Sequence, residues 1–217
     1  VIVTDVCADI ATVPYPLATV GDLAETVALV EAEGRRCVSM VADVRDTAAL
    51  DAVVAAGLEA FGHIDICVAN AGVTGYAKFH ELDDDTWQDM IDVDLTGTFR
   101  TIRAVLPHML ERRFGRVIAI SSMAGRMGNA NLAHYVAAKW GVIGMIKSLA
   151  MEVANKGITA NAISPAAVDT PMLHNPAMYD LFCPDLDAPT RDDVAPRYQA
   201  MNRRGIAWMD PSEISRA

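Results

Sequence analysis

The chain has 217 residues, 52% hydrophobic and 21% charged, which excludes a disordered or collagen-like polymer and suits one large α/β core. Its 18 basic and 28 acidic residues leave a net charge of −10, so phosphate backbones and anionic membrane surfaces are repelled and neither is an expected partner. The four cysteines are scattered, with no CxxC pair and no histidines clustered beside them; free thiols in a reducing cytoplasm are expected, and no metal site.

The segment Val1–Val6 reads as a strand already under way, so the start of the fold is expected outside this chain. Cys7–Thr19 follows, longer than the roughly 2–6 residues usual between a strand and a helix. Leu23–Glu33 and Ala48–Phe61 have helical character, and Gly34 and Gly62 after them are suited to stopping a helix. Cys37–Ala42 and Ile64–Ala69 are strand-like. The acidic run Asp83–Asp85 marks a helix N-terminus, where the helix dipole favours negative charge. Ile102, Val105, Leu106, Met109 and Leu110 then repeat at helical spacing and form one apolar stripe.

Arg116–Ser121 and Thr159–Ser164 complete a set of five β-rich segments. Most are continuous apolar runs, as expected of strands buried on both faces of a parallel sheet. Between the last two, Val136–Val153 is apolar or small almost all round, which predicts a helix buried against the sheet on one side and a second subunit on the other. Seven of the ten prolines lie in the last 53 residues, among Met172, Leu173, Met178, Tyr179, Leu181 and Phe182. That composition predicts an irregular apolar flap over residues 172–208, and Ser212–Ala217 reads as the opening of a further helix. The alternation of strands and helices predicts a single domain: a doubly wound parallel sheet of Rossmann type in three α/β/α layers.

Chemistry is concentrated in Tyr135-Val136-Ala137-Ala138-Lys139, with Ser122 thirteen residues before the tyrosine. Four residues along a helix place two side chains on one face. A phenol with a reference pKa near 10 is a poor base at neutral pH, and an ammonium one turn away favours its ionised form. Ser122, at a strand end, is placed to donate a hydrogen bond to a substrate oxygen. Asp5 closes the first strand, where a carboxylate can accept from both hydroxyls of an adenosine ribose and would repel a 2′-phosphate. The small residues Asn70, Ala71 and Gly72 allow close backbone approach to a cofactor. His134 is expected to be a solvated or packing histidine.

The order Asn70-Ala71-Gly72, Ser122, Tyr135-x-x-x-Lys139 and Ser164-Pro165-Ala166-Ala167-Val168-Asp169-Thr170-Pro171 resembles the short-chain dehydrogenase/reductase family over essentially the whole chain. The resemblance implies hydride exchange between an alcohol or carbonyl and NAD(P), with Ser122, Tyr135 and Lys139 catalytic and Tyr135 and Lys139 also touching the cofactor. It places Asp43 and Val44 beside the adenine, and Pro165, Val168 and Thr170 against the cofactor, with Thr170 bonding its carboxamide or a phosphate. The family's catalytic asparagine is replaced by Asp94, whose carboxylate can pair with Lys139 and weaken its pull on the tyrosine. Ala166 stands where a glycine is usual.

Cys7–Thr19 resembles the insertion of the mycofactocin-associated, carveol dehydrogenase-like branch, where the loop covers a tightly held NAD and passes its electrons to a redox peptide. The expectation is therefore a cytoplasmic, homotetrameric, NAD-dependent dehydrogenase of a hydrophobic secondary alcohol, cyclic or terpenoid. The alternatives are an NADPH-dependent carbonyl reductase and a non-catalytic member of the fold serving as a binding or assembly module.

Overall fold

The computed structural model describes residues 1–217. Its elements run β1 (Ile2–Asp5), α1 (Val20–Ala32), β2 (Val38–Val41), α2 (Thr47–Phe61), β3 (Ile66–Ala69), α3 (Asp84–Met90), a π-helical segment (Ile91–Gly97), α4 (Thr98–Arg112), β4 (Gly115–Ile120), α5 (Ala133–Val153), β5 (Ile158–Ile163), α6 (Pro176–Phe182), α7 (Arg191–Met201) and α8 (Pro211–Ser215). Local chemistry sets the boundaries. The Thr19 side chain accepts from the Asp22 N–H while the Asp22 carboxylate accepts from the Thr19 N–H, a reciprocal cap that starts α1. Asp46 accepts from the N–H groups of Ala48 and Ala49 to start α2, and Gly62, at φ 77°, ends it in the left-handed region.

All strand pairing is parallel, in two sheets. β1 pairs with β2, Ile2 opposite Val38 and Asp5 opposite Val41. β3, β4 and β5 form the second sheet, with Cys67 opposite Val117 and Val117 opposite Ala160. Strands alternating with helices in this way give the doubly wound α/β fold of Rossmann type that the pattern predicts. A cavity of about 340 Å³ lies between the two sheets, with Ile2, Val3, Thr4 and Asp5 of β1 on one side and Val68, Asn70 and Ala71 on the other.

The main core gathers Cys67, Ala69, Val117, Ala119 and Ala160 from one face of the second sheet with Ile102, Val105 and Met109 of α4 and Val142, Ile146 and Val153 of α5. The predicted stripe on α4 is thus its buried face, except that Leu110 stays exposed. Burial on both faces of the strands does not hold for β3: Cys67 and Ala69 are buried, whereas Ile66 and Val68 are about 60% and 53% exposed. A strand exposes alternate residues on opposite faces, and α4 and α5 cover only one of them.

The segment after Ser164 also differs from expectation. It is not irregular but carries α6 and α7, with Leu173, Met178, Cys183, Val194 and Tyr198 buried in a small core of their own. Its prolines are compatible with this: Pro176 occupies the first turn of α6, where no backbone N–H is needed, and Pro196 lies inside α7. A bridge between Val168 and Met209 closes the unit back onto the fold. No helix is long and apolar enough to cross a membrane.

Candidate active site

Three elements converge where β4 ends. Ser122 follows that strand, and its Oγ accepts from the Ala124 N–H, fixing the hydroxyl at the head of a short 3₁₀ turn over Met123–Gly125. Its neighbour Ser121 donates to the main-chain carbonyl of Lys139 at 2.9 Å, and this bond ties α5 to the strand end. A side chain at Gly125 would run into both partners of that bond, Ser121 Oγ at 2.5 Å and the Lys139 carbonyl at 2.7 Å.

Tyr135 and Lys139 lie one turn apart on α5 and share a pocket: the Lys139 Nζ sits 5.5 Å from the centre of the Tyr135 ring. The ammonium is almost wholly buried, donates to the Ile120 carbonyl at 3.2 Å, and lies 3.1 Å from the Asp94 carboxylate. Asp94 is fully buried in the π-helical segment. Its other carboxylate oxygen accepts from the Val73 N–H at 2.8 Å, and its main-chain carbonyl accepts the Thr98 hydroxyl. Gly72 closes this group, since a Cβ there would stand 3.2 Å from Lys139 Nζ and 3.3 Å from an Asp94 oxygen. The expected pairing of Asp94 with Lys139 is therefore present.

The electrostatics follow from that pairing. Burial raises the Asp94 carboxyl above its ordinary range, against the pull of Lys139 and of the Val73 N–H. Burial works to lower Lys139, but the Asp94 carboxylate and then Tyr135 lift it, so the lysine is held as an ammonium. Lys139 does pull the Tyr135 phenol down, helped by Ser122, as the spacing suggests. Without a cofactor the net direction is nevertheless upward: burial is the largest influence, and Asp94 adds to it.

The residues anticipated around a dinucleotide divide into four groups. Asp5, Val44, Asn70 and Ala71 line the cavity between the sheets, together with Asp22. One Asp5 oxygen accepts from the Cys7 N–H at 2.8 Å, which leaves the other to receive a ribose hydroxyl. Gly72 joins the Tyr135–Lys139 group instead. Asp43 is drawn elsewhere: its carboxylate is clamped by Arg45 at 2.8 Å, and the same guanidinium reaches Asp89 at 3.0 Å, so it meets arginine rather than the cavity. In the Ser164–Pro171 stretch, the Pro165 carbonyl accepts from Met123 N–H, Val168 pairs with Met209, and the Thr170 hydroxyl turns back on the Val168 carbonyl at 3.4 Å.

Sequence reasoning missed Tyr15. It lies in the long loop after β1 yet is buried, and its hydroxyl accepts from the Thr74 N–H at 3.0 Å. Ile10 of the same loop packs with Val73, Met90 and Val93, with Tyr135 against them. Thr12 donates to Asp89 at 2.8 Å. An aromatic residue flanked by Pro14 and Pro16 was the available signal. His134, beside the tyrosine, is fully buried with both ring nitrogens unpaired, and burial lowers its pKa; it packs rather than facing solvent.

Comparison with known proteins agrees with this geometry. The short chain dehydrogenase family model matches residues 5–178. The chain belongs to the short-chain dehydrogenase family. It is 39% identical over 219 residues to a (−)-trans-carveol dehydrogenase of Rhodococcus erythropolis, covering 100% of this chain and 79% of that protein. It is 44% identical over 217 residues to an uncharacterised NAD-dependent oxidoreductase of Mycobacterium tuberculosis, covering 99% and 77%. Among solved structures, carveol dehydrogenase from Mycobacterium avium in complex with NAD superposes with a TM-score of 0.97 at 43% identity, over 99% of this chain and 78% of that one.

Proposed function

We propose that this short-chain dehydrogenase oxidises a hydrophobic secondary alcohol, cyclic or terpenoid, to its ketone with NAD. The observation that carries the reading is the shared pocket of Tyr135 and Lys139 at the end of the strand that delivers Ser122. Ser122 orients the alcohol oxygen, and Tyr135, as the phenolate that the lysine ammonium favours, takes its proton and becomes neutral phenol. When bound, the nicotinamide ring supplies the hydride acceptor. Asp5 holds the adenosine ribose, and with Asp22 in the same cavity it opposes a 2′-phosphate, which favours NAD over NADP. Val44, Asn70, Ala71 and Gly72 provide the close-fitting wall; Pro165, Val168 and Thr170 border the nicotinamide end.

Residues 1–217 act as one catalytic domain in this reading, and residues 172–208 cover the substrate with the apolar core of α6 and α7. The carveol dehydrogenases of Rhodococcus and Mycobacterium motivate a terpenoid alcohol. The anchored loop after β1 supports a tightly held NAD reoxidised by a redox peptide such as mycofactocin. Exposed Trp140 and Met151 on α5 support a homo-oligomer, as a tetramer, and the cytoplasm is the expected location.

The test is oxidation of carveol and other cyclic alcohols by the protein with NAD, followed by the absorbance of reduced nicotinamide. Turnover that stops in Tyr135→Phe supports the assignment; full turnover in that variant ends it.

A further inference from the structure

The pocket holds one fixed cation and two groups that can be negative. Lys139 is the cation; Asp94 is 3.1 Å from it and wholly buried, and Tyr135 presents its ring to the same ammonium at 5.5 Å. Other groups leave this balance nearly untouched. Tyr15, from the loop after β1, faces the pair as a buried neutral phenol that accepts from Thr74. Ser122, from the end of β4, is uncharged. Asp89 of α3 is engaged by Arg45 and Thr12. Asp92, on the π-helical segment, is only half-buried, Arg126 after the 3₁₀ turn is exposed, and His134 is fully buried with no hydrogen-bonding partner. A phenolate at Tyr135 would therefore be a second negative charge beside a single, already neutralised positive one.

We propose that Asp94 is a positioning residue that takes Lys139 as its own counter-ion and so makes proton loss from Tyr135 depend on a second positive charge, that of the oxidised nicotinamide. The inference rests on the dehydrogenase reading above and deepens it. Without the cofactor, Tyr135 stays protonated and the pocket is neutral overall. With the oxidised ring alongside, the phenol gives its proton to solvent and the phenolate is ready to accept the alcohol's hydroxyl proton. After hydride transfer the ring is neutral, the phenol is again protonated, and the pocket returns to its resting charge. Electrons and protons balance: the alcohol loses a hydride to the ring and a proton to Tyr135, and the earlier phenol proton is the one released. A neutral pocket also opposes the cationic, oxidised form of the cofactor less than one holding an uncompensated ammonium would.

The test replaces the carboxylate by its neutral isostere, Asp94→Asn, and reads Tyr135 directly. Tyrosinate absorbance is titrated in cofactor-free protein, with Tyr135→Phe subtracted to isolate one phenol. In the native protein Tyr135 should ionise above the ordinary value of about 10. In Asp94→Asn its midpoint should fall by about one pH unit or more, since an uncompensated ammonium is then its neighbour. The ratio of NAD to NADH affinity, measured by binding alone, should fall severalfold in the variant. An unmoved midpoint and ratio overturn the proposal. If the variant fails to fold, the native titration still decides: a Tyr135 that ionises below the ordinary value without cofactor overturns it. Midpoints that move as expected in a protein that oxidises no alcohol would uphold the charge coupling and sink only the dehydrogenase reading.

Discussion

Replacing Gly72 by alanine tests how tightly the lysine is held. The added methyl would stand 3.2 Å from Lys139 Nζ, 3.3 Å from an Asp94 carboxylate oxygen and 3.6 Å from its carbon, inside the roughly 3.5–4.0 Å of comfortable contact. A long side chain can normally swing aside, but this ammonium is fixed by Asp94 at 3.1 Å and the Ile120 carbonyl at 3.2 Å. The conflict therefore amounts to a few tenths of an ångström with little slack, and the cost should lie near the lower end of the roughly 1–3 kcal/mol typical of overpacking. Displacement of a reacting group by 1 Å costs about 100-fold in rate, so this smaller shift should lower kcat/KM by about tenfold. Thermal unfolding and steady-state alcohol oxidation measure the two effects. Gly128→Ala is the control, because a methyl there meets nothing within 4 Å. Gly72→Ala matching Gly128→Ala in both assays would refute the account of a crowded, rigid ammonium.

Four other outcomes follow from the geometry. Tyr135→Phe should lower kcat by about 10²–10⁴-fold, the usual contribution of a general base, while NAD binding measured by calorimetry persists. Tyr15→Phe removes the acceptor of the buried Thr74 N–H, so it should cost about 1–3 kcal/mol in denaturant unfolding and speed proteolysis of the loop after β1. Gly157→Ala should destabilise by more than about 2 kcal/mol: Gly157 sits at φ +74°, and a Cβ would fall 2.0 Å from the Arg113 carbonyl oxygen. His134 is held below its ordinary value of 6.5 by burial, so the unfolded chain binds the proton more readily. Stability should be full above about pH 6.5 and decline as acid is added through the folded-state value, and His134→Leu should flatten the decline of melting temperature between about pH 7 and pH 5.

The Ser122–Tyr135–Lys139 cluster was legible because its signals are local. Tyr135 and Lys139 needed only helical spacing, and Ser122 only a strand end. The strands and the ends of α1 and α2 were legible for the same reason, through apolar runs, Gly34 and Gly62, whereas the caps at Thr19 and Asp46 emerged only in the structure. What escaped notice depends on contacts between distant parts of the chain. Tyr15 reaches its partner 59 residues away, and nothing in a proline-flanked loop says which amide it will meet. The pull of Lys139 on the Tyr135 phenol was legible, whereas the opposing effect of burial was not, because a neighbour's charge is visible in sequence and burial is not. Asp43 likewise depends on where Arg45 turns; α6 was hidden because proline in a helix's first turn looks the same as proline in a loop, and α7 because Pro196 lies inside it, where proline argues against a helix.

The π-helical turn at Ile91–Gly97 has a consequence for how the gene can change. A π turn holds one more residue than an α turn, and each residue advances an α-helix by about 100°. Losing a single codon in this stretch would leave the continuous helix from α3 into α4 intact to a secondary-structure probe, yet rotate Asp94 by that angle and turn it off the lysine. Point changes here are graded; a one-residue deletion should be silent to circular dichroism and ruinous to turnover.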